Sequence, residues 1–488
     1  MSPFRKFIKQ FSHFFTGSIL SQLFSFVTFP ILTRVLTKEQ YGMMGLVTTT
    51  MLFAIAIAKV GLSDGIIRFY KEYSGADEKL EVFSSTVLTR TIALSALATL
   101  LYVILLLIGR GYLKLNEIYT TCFLIMAFDL FITPFNIAIM YFLRVTDKTI
   151  FMNVIILIGR VITTGLSLFF LLYVFKVFYG YFIGVVLADV IVSAVLFHWF
   201  FKHYRCNPRM VSKELNVNFM KFGVPLLLSE LCFLLMSYAD RYLIVWYLGK
   251  EALGLYSVGY NVAMYIGNII MFSISYAIVP IYVEIYWREG REKTEAFLKK
   301  GLQYIFVAII PIWFGYAAIS KELFIVFASE KYAMAANFSP LILFAYFCLC
   351  VNTIFNAGLY LKKRTIVSFG ITLSAIILNI GLNLMLLRRF GIASAAVAAA
   401  ASCMVSLILT IWISNKFVTV RVELKSFIYY LSVSVLMYLV ISEIGTPRAW
   451  MNLVLKIIIG AFIIILAVIY KEYGNLKSIM DGYRLKAA

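Results

Sequence analysis

Ten ionisable side chains lie within, or at the edges of, runs of sequence otherwise too apolar to sit in water. The bases are Lys59, Arg68, Arg90, Arg160 and Arg241; the acids are Asp64, Asp129, Asp189, Glu230 and Asp240. A charge at the centre of a membrane helix costs about 2.5–3.5 kcal/mol on insertion scales, so each needs a partner, water or a ligand. Guanidinium groups match the oxygens of phosphates and pyrophosphates. Carboxylates in the same surroundings suit a coupling cation, sodium or a proton. The plainer alternative is internal pairing: Asp64 and Arg68, four residues apart, could bridge on one helix face.

Uncharged polar residues add to this pattern. Ser257, Asn261, Tyr265 and Asn268 recur at helical spacing, as do Arg160, Thr163, Thr164 and Ser167, and Ser18, Gln22 and Ser25. Asn352, Asn356 and Tyr360 form a further stripe, and Asn379 and Asn383 another. Hydrogen bonds between helices, about 0.6 kcal/mol each on average, explain any one stripe. Five stripes fit a hydrated cavity better. Pro134 and Pro311 interrupt apolar runs and are candidate hinges, since proline removes a backbone donor and bends a helix.

These side chains are positioned by membrane helices. The chain has 488 residues, 62% hydrophobic and 14% charged, against about 25% charged in soluble domains. Fourteen apolar runs have the ~20-residue length needed to cross a bilayer. They centre near residues 22, 52, 98, 130, 161, 189, 234, 268, 309, 350, 376, 402, 435 and 461. The connections are too short for a soluble domain. The stretch Ile66–Ser85 reads as an amphipathic helix at the interface, or else as a charged loop. Alanine crowds the twelfth run, at 393, 395, 396 and 398–401, which favours close helix packing.

The net charge of +20 would suggest nucleic acid in a soluble protein. Here the basic residues are spread over short loops, more than twice as many on the side of the N-terminus as on the other. That bias places both termini in the cytoplasm and removes nucleic acid as a partner. No G-x-x-x-x-G-K-[ST], G-x-S-x-G or H-E-x-x-H motif occurs. The six cysteines include no C-x-x-C pair, and the three histidines have no zinc spacing. No metal or cofactor is expected, and transport would be driven by gradients.

The chain repeats itself. Leu36-Thr37-Lys38-Glu39-Gln40-Tyr41-Gly42 returns as Leu248-Gly249-Lys250-Glu251-Ala252-Leu253-Gly254, an L-x-K-E-x-x-G pattern at an offset of 212. Phe135-Asn136 before Lys148-Thr149-Ile150 is echoed by Phe355-Asn356 before Arg364-Thr365-Ile366. Six spans separate the copies, an even number, so the copies share one orientation. The expected organisation is a six-helix lobe over 1–205, a second over 206–425, and two further helices with a tail over 426–488. In repeat transporters the substrate site lies between the repeats.

Three segments carry a family resemblance: FPILTRVLTKEQYG (29–42), VGLSDGIIRF (60–69) and YADRYLIVWYLGKEALGLYSVGYNVA (238–263). They resemble the polysaccharide-transporter family, the O-antigen and lipid-linked oligosaccharide flippases of the multidrug/oligosaccharidyl-lipid/polysaccharide exporter superfamily. The resemblance implies an all-α, V-shaped transporter of two lobes around a cationic cavity, in the bacterial cytoplasmic membrane. It implies a monomer that flips an undecaprenyl-pyrophosphate-linked oligosaccharide outward by alternating access, beside other polysaccharide-assembly proteins. Arg34, Gly61, Arg68, Asp240 and Arg241 fall on the family-like segments, Gly61 as a further hinge candidate. The substrate-binding candidates are therefore Arg34, Lys59, Arg68, Arg90, Arg160, Arg241, Asn261, Asn268 and Asn356. Asp64, Asp129, Asp189, Glu230 and Asp240 are candidates for cation coupling or charge pairing. Two rival functions are a multidrug extruder, which would favour an acidic cavity, and a membrane glycosyltransferase or polymerase, which would usually need a large external loop. A purely structural scaffold is a third.

Overall fold

The computed structural model describes residues 26–111 and 115–487, with side chains except at 272–277 and beyond 471. The described residues are helical, without a strand. Most of the first expected span, with Ser18, Gln22 and Ser25, lies outside them. Its end is α1 (Phe26–Val35). There follow α2 (Lys38–Lys59), α3 (Leu62–Tyr73), α4 (Asp77–Gly109), α5 (Glu117–Val145), α6 (Thr149–Phe169), α7 (Tyr179–His203) and α8 (Lys213–Leu248). The rest are α9 (Lys250–Glu289), α10 (Arg291–Leu323), α11 (Ser339–Phe355), α12 (Ala357–Leu361), α13 (Thr365–Phe390), α14 (Ala393–Ser414), α15 (Leu424–Ser442) and α16 (Ala449–Ala487).

Eleven apolar stretches are long enough to cross a membrane, or twelve if the bent pair Glu330–Asn337 and Ser339–Phe355 is one span. The chain is a multi-pass membrane protein. The expected eighth span lies in α9, where six side chains are not described. Fourteen is therefore not reached by count among the described residues. Three of the helix starts are closed by a side chain, which spares backbone donors from lipid. Thr37 and Gln40 form a reciprocal capping box on α2, with N–O distances of 3.1 and 3.0 Å. Asn116 caps α5 and Ser212 caps α8.

The expected interfacial helix over 66–85 needs correction. It is two elements, broken at Ser74–Ala76. α3 is amphipathic and buries Leu62 and Ile66 while exposing Asp64, Ile67 and Arg68. Residues from Asp77 onward instead start α4, where Asp77 and Glu78 complement the helix dipole.

By compactness the chain divides into Met1–Gly254 and Leu255–Ala488. The boundary expected from the repeat, between residues 205 and 206, lies earlier. α8 falls with the first unit because it packs along α2, α3 and α4. That unit is pinned by rings from α4, α5, α7 and α8. Phe142 lies 5.1 Å from Phe200, 4.8 Å from Tyr204 and 5.8 Å from Phe83, and Phe83 lies 6.1 Å from Phe219. Such pairs add about 0.5–1.5 kcal/mol beyond burial.

In the second unit α14 packs between α11 and α13 with Ala395, Ala396 and Ala398 fully buried, the close approach its alanines suggest. α16 is fastened to α10 by a buried ion pair, Lys456 Nζ to Glu322 Oε1 at 2.7 Å, the ammonium also facing the Ala318 carbonyl at 3.4 Å. Removing one member of such a pair costs about 3–5 kcal/mol, whereas an apolar replacement of both is often neutral. Lys456→Met should therefore lower thermal stability in detergent markedly, and the double variant Lys456→Met/Glu322→Leu should recover most of the loss. A double variant no more stable than the single would show that the pair is not what fastens α16.

Candidate functional site

The two copies of L-x-K-E-x-x-G meet. A Cβ on Gly42 would stand 2.5 Å from the Gly254 nitrogen and 2.5 Å from the Lys250 carbonyl oxygen. A Cβ on Gly254 would collide with the Lys38 carbonyl oxygen. Lys38 and Lys250 occupy the same place in the two copies, as do Gly42 and Gly254. The contact is thus reciprocal, as across a twofold axis. Lys250 Nζ also lies 3.6 Å from Glu39 Oε1 and over the Tyr119 ring at 4.7 Å.

From this point α2 and α8 run alongside one another. Arg241 is only 5% exposed and turns into α2, where Nη1 donates to Thr49 Oγ1 at 3.0 Å and to the Gly45 carbonyl at 3.3 Å. Its guanidinium lies 4.9 Å from the Tyr238 ring centre. Asp240 is buried beside it. One residue further along both helices, Thr50 and Tyr242 share a hydrogen bond of 2.8 Å. Nearer the N-terminal end of α8, Lys59 Nζ meets Glu230 Oε1 at 2.8 Å. There α2 ends. Val60 and Gly61 both adopt left-handed backbone, at φ 36° and 65°, unusual for a β-branched valine. Gly61 and Gly223 touch backbone to backbone. At 1.5 Å per residue Lys59 lies about 30 Å below Lys38, one hydrocarbon thickness away.

A second cluster joins α5 and α7. The carboxyls of Asp129 and Asp189 are within hydrogen-bonding range of each other, and Thr133 lies beside Asp129. Ser193 donates to Asn136 Oδ1 at 2.7 Å. Arg160 of α6, exposed, is within electrostatic range of Asp189. Pro134 is buried in α5 within the same stretch.

The remaining candidates are dispersed. Arg90 is buried between α4 and α8, donating to Asn216 Oδ1 at 2.6 Å and lying 5.6 Å from the Phe219 ring centre. Arg34 and Arg68 are exposed. Arg68 pairs with Glu72 at 3.7 Å, so the expected Asp64–Arg68 bridge gives way to the next turn of α3. In the second unit, Asn261 and Asn268 are half-buried on α9. Asn356, where α11 gives way to α12, accepts from Ser368 at 3.2 Å. Pro311 is buried within α10.

Two polar stripes bond in part along their own helices. Thr163 donates to the Gly159 carbonyl, Ser167 to Thr163 and Asn383 to Asn379, each four residues back on its own helix. Thr163 and Ser167 do not by themselves require a wet cavity, whereas Asn383 Oδ1, Asn352 Oδ1 and Ser257 Oγ are buried without a hydrogen-bond partner among the described residues. Sequence reasoning missed Asn216, Tyr242 and Gly223. The repeat marked Gly42 and Gly254 as equivalent, but not as touching.

Residues 7–286, more than half of the chain, match the family described as Polysaccharide biosynthesis protein. The chain belongs to that family. Residues 225–385 of this polysaccharide-family chain also match the MatE family. Among curated proteins, an uncharacterized membrane protein of Methanocaldococcus jannaschii, MJ1068, is 23% identical over 241 residues, 49% of this chain and 47% of the relative. The chain thus matches about half of that relative's length. The lipid II flippase MurJ, in an inward closed conformation, superposes with a TM-score of 0.79 at 13% identity, covering 95% of this chain and 99% of that one. A multidrug resistance MATE family transporter of the MOP superfamily, inward-facing, gives 0.66 at 14% identity, covering 81% and 95%. An outward-facing one gives 0.57 at 16%, covering 85% and 96%. The fold is the one that these flippase and transporter structures share.

The glycine seam generates a test. Gly254→Ala should destabilise the protein by about 1–3 kcal/mol or more, because its Cβ would enter backbone that cannot shift alone. Gly165→Ala in α6, with open space around it, should be neutral or slightly stabilising. Thermal unfolding of the purified variants reads both, and equal behaviour would remove the seam from the account.

Proposed function

We propose that this chain flips an undecaprenyl-pyrophosphate-linked oligosaccharide from the inner to the outer leaflet of the bacterial cytoplasmic membrane, by alternating access and for surface polysaccharide synthesis. What carries the reading is the polysaccharide-family match over residues 7–286. The MatE match is shorter, and the basic residues within the spans favour an anionic headgroup over an amphipathic cation.

The physics fits this task. A sugar hydroxyl stripped of water without a partner costs about 2–7 kcal/mol. An oligosaccharide carries many, so it needs a polar path, while its prenyl chain stays in lipid. With the inside negative, moving two negative charges outward gains about 4.6 kcal/mol per 100 mV.

In this reading Lys59 meets the pyrophosphate at one leaflet and Arg34, near the opposite end of α2, meets it at the other, with Arg68 and Arg160 as further contacts along the way. Asn261, Asn268 and Asn356 meet sugar. Arg90 and Arg241, buried against helices of their own unit, hold α8 in the conformation described. The Asp129–Asp189 pair is the proposed seat of a coupling ion, sodium or a proton, since two adjacent carboxylates cannot easily both stay charged. Gly61, Pro134 and Pro311 are the proposed bends. Both termini face the cytoplasm, the working unit is a monomer, and other polysaccharide-assembly proteins are its neighbours.

Depletion of the protein should make undecaprenyl-linked oligosaccharide accumulate in a form protected from a membrane-impermeant sugar-modifying reagent. An unchanged glycolipid distribution, with raised sensitivity to cationic dyes, would instead mark a drug extruder.

A further inference from the structure

We infer that Glu230 is an internal stand-in for the substrate's anionic headgroup, holding Lys59 until a pyrophosphate displaces it. This rests on the pyrophosphate-linked substrate proposed above and adds a gate to it.

Four observations bear on it. First, the pair is reachable. The Lys59 and Glu230 side chains are 19% and 35% exposed, whereas the fastening pair Lys456–Glu322 is 6% and 13% exposed. Second, a partly exposed pair contributes little to stability, so the fold can give it up. Third, Lys59 does not depend on Glu230 for its place. It is the last residue of α2, beside carbonyls at the negative end of the helix dipole, and the chain unwinds immediately after it at Val60 and Gly61. Fourth, Lys38 and Lys59 close the two ends of α2, about 30 Å apart, the span of a bilayer's hydrocarbon, which suits Lys59 to a leaflet's phosphates.

Displacement also has a mechanical consequence. Glu230 ties α8 to the end of α2 beside the left-handed break at Val60 and Gly61. An anion that takes Lys59 releases that tie, and a neutral headgroup cannot. Substrate charge would then both select the cargo and loosen the α2–α8 contact. By linkage, whatever weakens the carboxylate's hold on Lys59 must strengthen the anion's.

The test uses the full-length protein in nanodiscs of zwitterionic lipid, with farnesyl pyrophosphate as the probe and farnesol as the neutral control. Glu230→Gln should tighten farnesyl pyrophosphate binding by about fivefold or more and leave farnesol unchanged. Lys59→Gln should weaken it, and the double variant should bind no tighter than Lys59→Gln alone. The swap Lys59→Glu/Glu230→Lys, which keeps the pair should Glu230→Gln fail to fold, should bind within a few-fold of the wild type. Equal or weaker binding by folded Glu230→Gln, or loss of binding by a folded swap, overturns the exchange while leaving the flippase reading intact. Wild-type protein that binds farnesyl pyrophosphate no better than farnesol overturns the pyrophosphate reading itself.

Discussion

The close approach of backbone to backbone along α2 sets the register of everything around it. Gly42 meets the second copy of its own motif at Gly254, and Gly61 meets Gly223. No side chain fits at either point, so α2 can lie against its neighbours in one register only. That register places Thr49 under Arg241, Thr50 opposite Tyr242 and Lys59 opposite Glu230. Slide the helix by one turn, and three polar contacts in a largely apolar setting are lost together. The aromatic cluster of Phe83, Phe142, Phe200 and Phe219 then holds the N-terminal part of α8 to α4, α5 and α7 by dispersion and ring geometry.

Much of this was legible in the residues, for identifiable reasons. The spans announce themselves because lipid tolerates so few polar groups, and thirteen of the fourteen expected centres fall inside helices. The repeat was legible because a glycine and a lysine recur in one pattern, and the structure brings those copies together. Partner choice was not legible. Sequence spacing offered Asp64 to Arg68, yet the side chain pairs with Glu72, a turn further along an exposed face. Spacing also made Thr163, Ser167 and Asn383 look like the lining of a cavity. A hydroxyl or amide that bonds to its own helix four residues back has the same period as one that faces water. The charges sorted themselves only in three dimensions. Arg90 and Arg241 turned inward to neighbouring helices, Lys59 stayed reachable, and Asp129 found Asp189 on a helix sixty residues away in sequence.

The functional account follows from matching those placements to a physical problem. A lipid-linked glycan combines a chain that belongs in hydrocarbon, a head that must stay hydrated and a strongly charged junction. A protein that carries all three must offer lipid, water and cation at separate depths. In the proposed function the leading cation is Lys59, held by Glu230 at a break in the helix. The family match supplies the polysaccharide context, and the fold supplies a scaffold shared with flippases and drug exporters alike. Choosing between those cargoes is a matter of charge.

The most direct measurement is therefore transport in a defined membrane. Purified protein would be reconstituted into liposomes with a fluorescent undecaprenyl-pyrophosphate-linked oligosaccharide, and the outer-leaflet fraction followed by quenching with a membrane-impermeant reductant. The account predicts quenching beyond the initially exposed fraction, faster with the potential oriented to drive the pyrophosphate across, and absent without protein. Exchange no faster than in protein-free liposomes, together with uptake or release of cationic dyes, would contradict it.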